Sequence, residues 1–307
     1  MTQSRRATTR QHARQRARAH RRSGASRWYL PGAAAVVLAA GLAWLVLQQA
    51  QSSGTPAPAG GFQQLGSVQA ADYHSLAFSP TDPNILLFGH HNGIMESSDG
   101  GRNWKAAVSR PNFDAMILSA SPASPDVLWM AGHNVFYQSR DSGRNWTEVR
   151  SNLPGLDLHA FAVSAAEPDL LYAFAVGYGL FRSTDAGETW EPLAGGAPRA
   201  PTALTTGGPG GTLYVGTDQG VVMSRDRGES FAPAIRVGAA PVTALAAAPK
   251  SEVIYAGTPQ GVFRSADGGQ SWIKTGYGGD VAALAVQPTD PERVVLVDGR
   301  GRIFGRS

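Results

Sequence analysis

The sequence predicts an all-β fold: six repeated sheets closed into a β-propeller by an N-terminal strand and preceded by one transmembrane helix. Three observations predict it. A serine–aspartate–glycine–aromatic pattern recurs five times at a spacing near 41 residues. Short apolar runs separated by turn residues fill each interval, as expected of strands rather than helices. A single uncharged stretch of twenty residues stands near the N-terminus, behind nine arginines.

The N-terminal elements come first. Residues 1–27 form a basic tail that carries all nine arginines of the first 49 residues, from Arg5 to Arg27, and no acid. All 23 acids and the other 18 of the 27 basic residues follow, so residues 50–307 carry a net charge of −5. The chain's excess of positive charge therefore belongs to the tail, not to a basic surface on the fold, and nucleic acid is not an expected partner of the repeats. Residues 28–47 read WYLPGAAAVVLAAGLAWLVL. A helix of that length rises about 30 Å, the thickness of a bilayer core. Trp28 and Tyr29 suit the interface, and the arginines at that end predict a cytoplasmic N-terminus with the remainder outside the cell membrane. Gln48-Gln49-Ala50 is a poor cleavage site, so an uncleaved signal anchor is expected. Residues 48–60 are a short Ser/Gly/Pro/Ala linker.

Residues 61–307 contain the repeats. The pattern residues are Ser97, Asp99, Gly101 and Trp104; Ser139, Asp141, Gly143 and Trp146; Ser183, Asp185, Gly187 and Trp190; Ser224, Asp226, Gly228 and Phe231; and Ser265, Asp267, Gly269 and Trp272. The aspartates are 42, 44, 41 and 41 residues apart. Periods of 20–50 residues indicate solenoids or propellers. Each pattern reads as a hairpin turn. The serine and aspartate satisfy turn N–H groups, the glycine supplies a positive φ, and the aromatic ring folds back as an apolar plug. Runs such as GIMES, GLFRS and GVFRS precede the turns, and two further apolar runs lie upstream of each, giving four strands per repeat and one propeller blade.

These segments resemble the Asp-box (BNR) repeats of sialidase-like β-propellers, also seen in sortilin-type receptors and in bacterial proteins labelled glycosyl hydrolases. The resemblance covers residues 61–307 and speaks to fold more than to activity. A sixth unit begins near Asp280, and its box would fall one residue beyond Ser307. Six blades are therefore expected, the last completed by Gly61–Ser67.

Candidate chemistry is unevenly distributed. The repeats hold five histidines, His74, His90, His91, His133 and His159, all in the first three units. Alignment puts His74 level with Met116 and His159, and with Thr202, Thr243 and Ala282 in later units. Two positions earlier stand Asp72, Asp114, Asp157 and Asp280. His90 and His133 each follow a glycine at the end of a second strand. In a propeller these positions meet at one mouth of the central channel. All five histidines are candidate ligand-binding residues. His74, His90, His133 and His159 are candidate ligands for a transition metal such as zinc or copper, and the four aspartates are candidate catalytic carboxylates. A purely structural role would recur in all six units. The Asp-box residues do recur, so a structural role is expected of them, and one aspartate per box is too few oxygens for calcium.

Other chemistries lack support. With no cysteine, disulfides, thiol nucleophiles and cysteine-ligated metals are excluded. Neither a phosphate-binding loop nor a Gly-x-Ser-x-Gly elbow occurs. A sialidase would need an arginine cluster, yet Arg102, Arg140, Arg144, Arg182, Arg225, Arg227 and Arg264 sit in or beside the boxes. The expectation is a membrane-anchored, extracytoplasmic binding or scaffold module for a protein or glycan. Glycoside hydrolysis, as the resemblance implies, and metal binding or sensing are the alternatives.

Overall fold

The computed structural model describes residues 61–121, 123–193, 196–239 and 241–306. The basic tail, the apolar stretch 28–47 and the linker lie outside them. Among the described residues no helix is long and apolar enough to cross a membrane.

The described chain opens with β1 (Gln63–Ser67). Blade one follows as β2 (Ser75–Phe78), β3 (Leu86–His90), β4 (Gly93–Ser97) and β5 (Lys105–Ser109). Blade two is β6 (Ile117–Ser121), β7 (Ser124–Gly132), β8 (Val135–Ser139) and β9 (Thr147–Glu148). Blade three is β10 (Leu158–Val163), β11 (Leu171–Ala175), β12 (Gly179–Ser183) and β13 (Glu191–Pro192). Blade four is β14 (Ala203–Gly207), β15 (Thr212–Thr217) and β16 (Gly220–Ser224). Blade five is β17 (Ala244–Ala247), β18 (Ile254–Thr258), β19 (Gly261–Ser265) and β20 (Ile273–Lys274). Blade six is β21 (Ala283–Gln287), β22 (Asp290–Val297) and β23 (Arg302–Arg306), with β1 as its outer strand. The sheets are antiparallel meanders, and the innermost strands contact one another in a ring from β2 through β21 and back to β2.

The expected closure is present. β1 pairs antiparallel with β23, Gln63 opposite Gly305 and Ser67 opposite Arg302, with a bulge between Gln64 and Gly66. The Val68 N–H donates to the Gly301 carbonyl at 2.8 Å. Closing the ring leaves no long unpaired edge on the last blade.

The core lies between blades. Successive strand side chains point to opposite faces, and each central strand feeds two neighbouring interfaces. On β7, Leu128 and Met130 pack toward blade one, whereas Trp129 and Ala131 pack toward blade three. On β22, Val294 and Leu296 face blade five, and Val295 and Val297 face blade one. Six clusters result, one per interface. Burial on both faces explains why these strands read as continuous apolar runs instead of alternating ones.

The Asp-boxes are structural clasps. In the first, the Ser97 hydroxyl donates to Asp99 Oδ1 at 2.8 Å and accepts the Gly101 N–H at 2.8 Å. Asp99 also accepts the Asn103 backbone and side-chain N–H groups at 2.9 and 2.7 Å. The same bonds recur around Asp141, Asp185, Asp226 and Asp267. The box glycine has φ between 85° and 95° in all five, a conformation that a β-carbon would strain. Bonds from Asn103 and from Asn145 hold the Asp99 and Asp141 carboxyls down at about 2. The box aromatics enter the interface with the preceding blade: Trp104, Trp146, Trp190, Phe231 and Trp272 each join a different cluster.

Blade four departs from the expected four strands. After β16 the chain keeps an isolated bridge, Val221 to Ile235, and one bond from the Ala232 N–H to the Met223 carbonyl at 2.9 Å in place of a fourth strand. Pro233 in that segment does not account for the difference, because Pro192 stands at the same distance from its box aromatic in blade three and lies within β13.

Candidate functional site at the channel mouth

The inner strands enclose a channel of about 370 Å³. His74, Met116, His159, Thr202, Thr243 and Ala282 all line it. These are the six positions that the repeat alignment places level, and two of the six carry imidazole.

A ladder of histidines and aspartates runs along this mouth across blades one to three. Asp72, just before β2, accepts the His91 backbone N–H at 3.1 Å through Oδ1, and its Oδ2 contacts His91 Nδ1. His74 Nε2 lies 3.2 Å from His91 Nδ1 and 3.3 Å from Asp72 Oδ1. In blade two, Asp114 Oδ2 accepts the His133 backbone N–H at 3.1 Å and stands 2.6 Å from His133 Nδ1. His91 Nε2 faces the other oxygen of Asp114 at 3.9 Å. His133 Nε2 faces Asp157 Oδ1 of the next blade at 3.8 Å, and His159 Nε2 lies 3.1 Å from the same oxygen. The His91 and His133 rings are stacked almost parallel, 5.7 Å apart. His74 and His159 meet them edge-on at either end.

Local structure explains the convergence. Each aspartate sits where the chain enters an inner strand, and the hairpin after the second strand folds over it. Glycines let that hairpin close down: a β-carbon on Gly132 would lie 2.2 Å from the Asp114 carbonyl oxygen. Three of the aspartates share one task. Asp72, Asp114 and Asp280 each accept the N–H nineteen residues on, from His91, His133 and Gly299. Asp157 differs. There the backbone carbonyl, at 2.9 Å, takes the corresponding N–H of Val176, and the carboxylate is left out.

The environment sets the protonation of the blade-one end. Burial raises the Asp72 carboxyl, but the two hydrogen bonds from His91 and the charges of His74 and His91 outweigh it and leave Asp72 below its usual value. The bond to Asp72 pushes His91 up. Burial pushes His74 down, only partly offset by the Asp72 charge. The mouth thus holds one imidazole that favours its cation beside another that favours its neutral form.

The predicted site residues fall into two groups. His74, His91, His133 and His159 converge with Asp72, Asp114 and Asp157. His90 does not join them. Its ring stacks on Phe88, its Nδ1 accepts the Asn92 N–H at 3.3 Å, and burial lowers its pKa. His91, not His90, is the counterpart of His133. The hairpin of blade one closes at His90–Gly93, and that of blade two one residue sooner at Gly132–Val135. The equal spacing of Asp72 to His91 and Asp114 to His133 carries that signal in the sequence. Asp280 is bound to Gly299 and has no imidazole beside it in any histidine–carboxylate group of the described residues. Three groups have metal-binding spacing: Asp72, His74 and His91; His91, Asp114 and His133; and His133, Asp157 and His159.

No apolar contact residue on this face stands out in the sequence. Among the described residues the exposed large hydrophobic side chains are Val176, Tyr178 and Ile273. The first two belong to the β11–β12 hairpin, whose backbone bonds to Asp157 at the mouth.

The clasped turns, the six-sheet ring and the closing strand define a BNR-type β-propeller. A family model described as photosynthesis system II assembly factor YCF48 matches residues 64–211, a stretch that contains all the mouth histidines. No curated protein matches the chain. Among solved structures, YCF48 from Cyanidioschyzon merolae is 15% identical, with 80% of this chain and 98% of that chain covered and a TM-score of 0.54. The GH74 xyloglucanase from Xanthomonas campestris is 16% identical, with 80% and 53% covered and a TM-score of 0.53. An ancestral GH74 enzyme is 14% identical, with 78% and 36% covered and a TM-score of 0.54. The chain thus spans between about a third and a half of these two GH74 chains. At such identities the likeness is one of fold.

Proposed function

We propose that this protein is a membrane-tethered binding or scaffold module that engages a segment of a partner protein through the channel mouth of blades one to three. The observation that carries the proposal is the one-sided chemistry of a six-fold scaffold. Four imidazoles and three carboxylates line half the mouth, where later blades offer Thr202, Thr243 and Ala282. The exposed Tyr178 and Val176 beside them supply apolar contact area at the same rim, and tyrosine is a favoured interface anchor. The description of the matched family model as an assembly factor fits a binding role. Residues 28–47 act as the tether, and the nine arginines before them keep the N-terminus cytoplasmic and the propeller outside.

Site-specific photo-crosslinking in intact cells tests the reading. A photoreactive residue at position 178 should yield a discrete protein adduct, and one at position 273, on β20, should not. Equal adducts from both positions, or none from 178, would refute it. Sidedness is read separately. The chain has no cysteine, so Ser52→Cys should react with a membrane-impermeant maleimide and Ser4→Cys should not. Glycoside hydrolysis is the competing outcome. It would show as turnover of a glycan that Asp72→Asn or Asp114→Asn abolishes.

A further inference from the structure

We infer that the mouth binds one divalent transition-metal ion between blades two and three, on His133 Nε2, Asp157 Oδ1 and His159 Nε2. This inference stands apart from the proposed protein partner. The three donor atoms belong to a group whose members lie within 4.8 Å of one another. The two contacts to Asp157 Oδ1 measure 3.8 and 3.1 Å. Ligands bonded tetrahedrally at ~2.0–2.2 Å to one ion lie about 3.4 Å apart, so the group needs only small side-chain adjustments to close on a metal.

Three further observations point to this place. Asp157 Oδ1 is enclosed and, although His159 Nε2 lies 3.1 Å away, it accepts no hydrogen bond of good geometry, a condition that buried polar atoms rarely tolerate without an unseen water or ion. Its freedom has a structural origin. Blade three alone, among the blades with an aspartate here, satisfies the hairpin N–H with a backbone carbonyl and spares the carboxylate. Next, His133 is already oriented. Asp114 holds its Nδ1 at 2.6 Å, which leaves Nε2 directed at Asp157. A carboxylate on the far nitrogen of a ligating histidine fixes the ring and raises its basicity. Finally, Asp114 is only 5% exposed, yet its own Oδ1 also lacks a partner. Two enclosed carboxylate oxygens at the mouth thus accept no hydrogen bond from the protein.

The other two groups fit less well. His91 approaches Asp72 and His74 through Nδ1, the nitrogen already taken by Asp72. Beside His91 and Asp114, blade two presents Met116 where blade three presents His159. Two imidazoles and one carboxylate favour zinc, iron(II), cobalt or nickel over calcium or magnesium, which prefer all-oxygen shells. Three protein ligands also leave a coordination position for an exogenous group.

The test uses the full chain, stripped with chelator and titrated with Zn²⁺, with Co²⁺ as the spectroscopic probe. His12 and His20 of the tail offer imidazoles of their own, so the reading is the difference between variants. The unaltered chain should bind one more equivalent than His159→Ala, and its Co²⁺ complex should show a visible d–d band that Asp157→Asn lacks. Asp114→Asn should keep the band but weaken binding roughly 10–100-fold. His90→Ala should change nothing. Melting curves without metal show that each variant is folded; His159 is partly exposed, so its replacement is expected to leave the fold intact. Equal metal binding by the unaltered chain, His159→Ala and Asp157→Asn would overturn the inference. No binding at all, or loss of binding in His90→Ala, would do the same.

Discussion

Deleting residues 61–67 removes β1 and opens the ring at blade six. The loss can be worked from the contacts. Four residue pairs join β1 to β23, and roughly four ladder hydrogen bonds at ~1 kcal/mol each disappear. Leu65 packs against the cluster of Val295, Ile303 and Phe88, and the loss of its partial burial adds ~1–2 kcal/mol. The total is ~5 kcal/mol, a large share of the ~5–15 kcal/mol that a domain has available. For a domain of this size each kcal/mol moves the melting temperature by ~2–4 °C, so a fall of ~10–20 °C is expected. The exposed edge of β23 should also promote aggregation on heating. Thermal unfolding followed by circular dichroism measures the shift. A melting temperature within ~3 °C of the parent would show that β1 does not close the propeller, and the six-blade account would fail with it.

Trp190 is the best-buried box aromatic, in contact with Phe136 and Phe161, so Trp190→Ala should cost ~3–5 kcal/mol in denaturant unfolding. Trp272→Ala should cost less, because that ring is only partly buried and its indole N–H has no partner. Asp99, Asp141, Asp226 and Asp267 have folded pKa values near 2 against an ordinary 3.8. Their contribution is therefore present above pH ~4 and lost as pH falls toward 2. Melting curves between pH 5 and 2 should show that loss, and a flat profile would contradict the clasp geometry. A histidine NMR titration should find His91 above 6.5 and His74 and His90 below it, and Asp72→Asn should lower His91. Asp280→Asn should lower stability slightly through the Gly299 N–H and leave Zn²⁺ affinity unchanged.

The architecture was legible in the sequence because it depends on local chemistry repeated five times. Each box contains its own serine, aspartate and glycine, and the bonds they make span four residues. The closing strand was legible from the register of the period together with the likeness of residues 61–67 to the strands that follow the boxes. The fourth strand of blade four was not: its segment keeps the period and, like blade three, a proline two residues after the box aromatic, yet it pairs only at Ile235 and Ala232. The mouth was legible only in outline. His74, His159 and the three aspartates converge as the alignment implies, but the choice between His90 and His91 depends on where a two-residue hairpin closes. A one-residue change there sends one ring to Phe88 and the other to Asp72.

Blade six separates structure from chemistry at this mouth. It has the same aspartate at the same strand entrance, taking the same N–H nineteen residues on, but the residue that donates is glycine. The aspartate therefore suffices as a loop clasp, and no imidazole is required for folding at that position. In blades one and two the donor residue is histidine, and each ring reaches toward the carboxylate of the following blade. At blade three the series ends on His159, and there the carboxylate is released from its clasp. A structural device present in three blades has thus been extended by side chains that its clasping role does not use. Those side chains accumulate in one direction around the ring and end at a carboxylate oxygen that faces two imidazoles. That polarity is what a binding site requires and a six-fold scaffold does not.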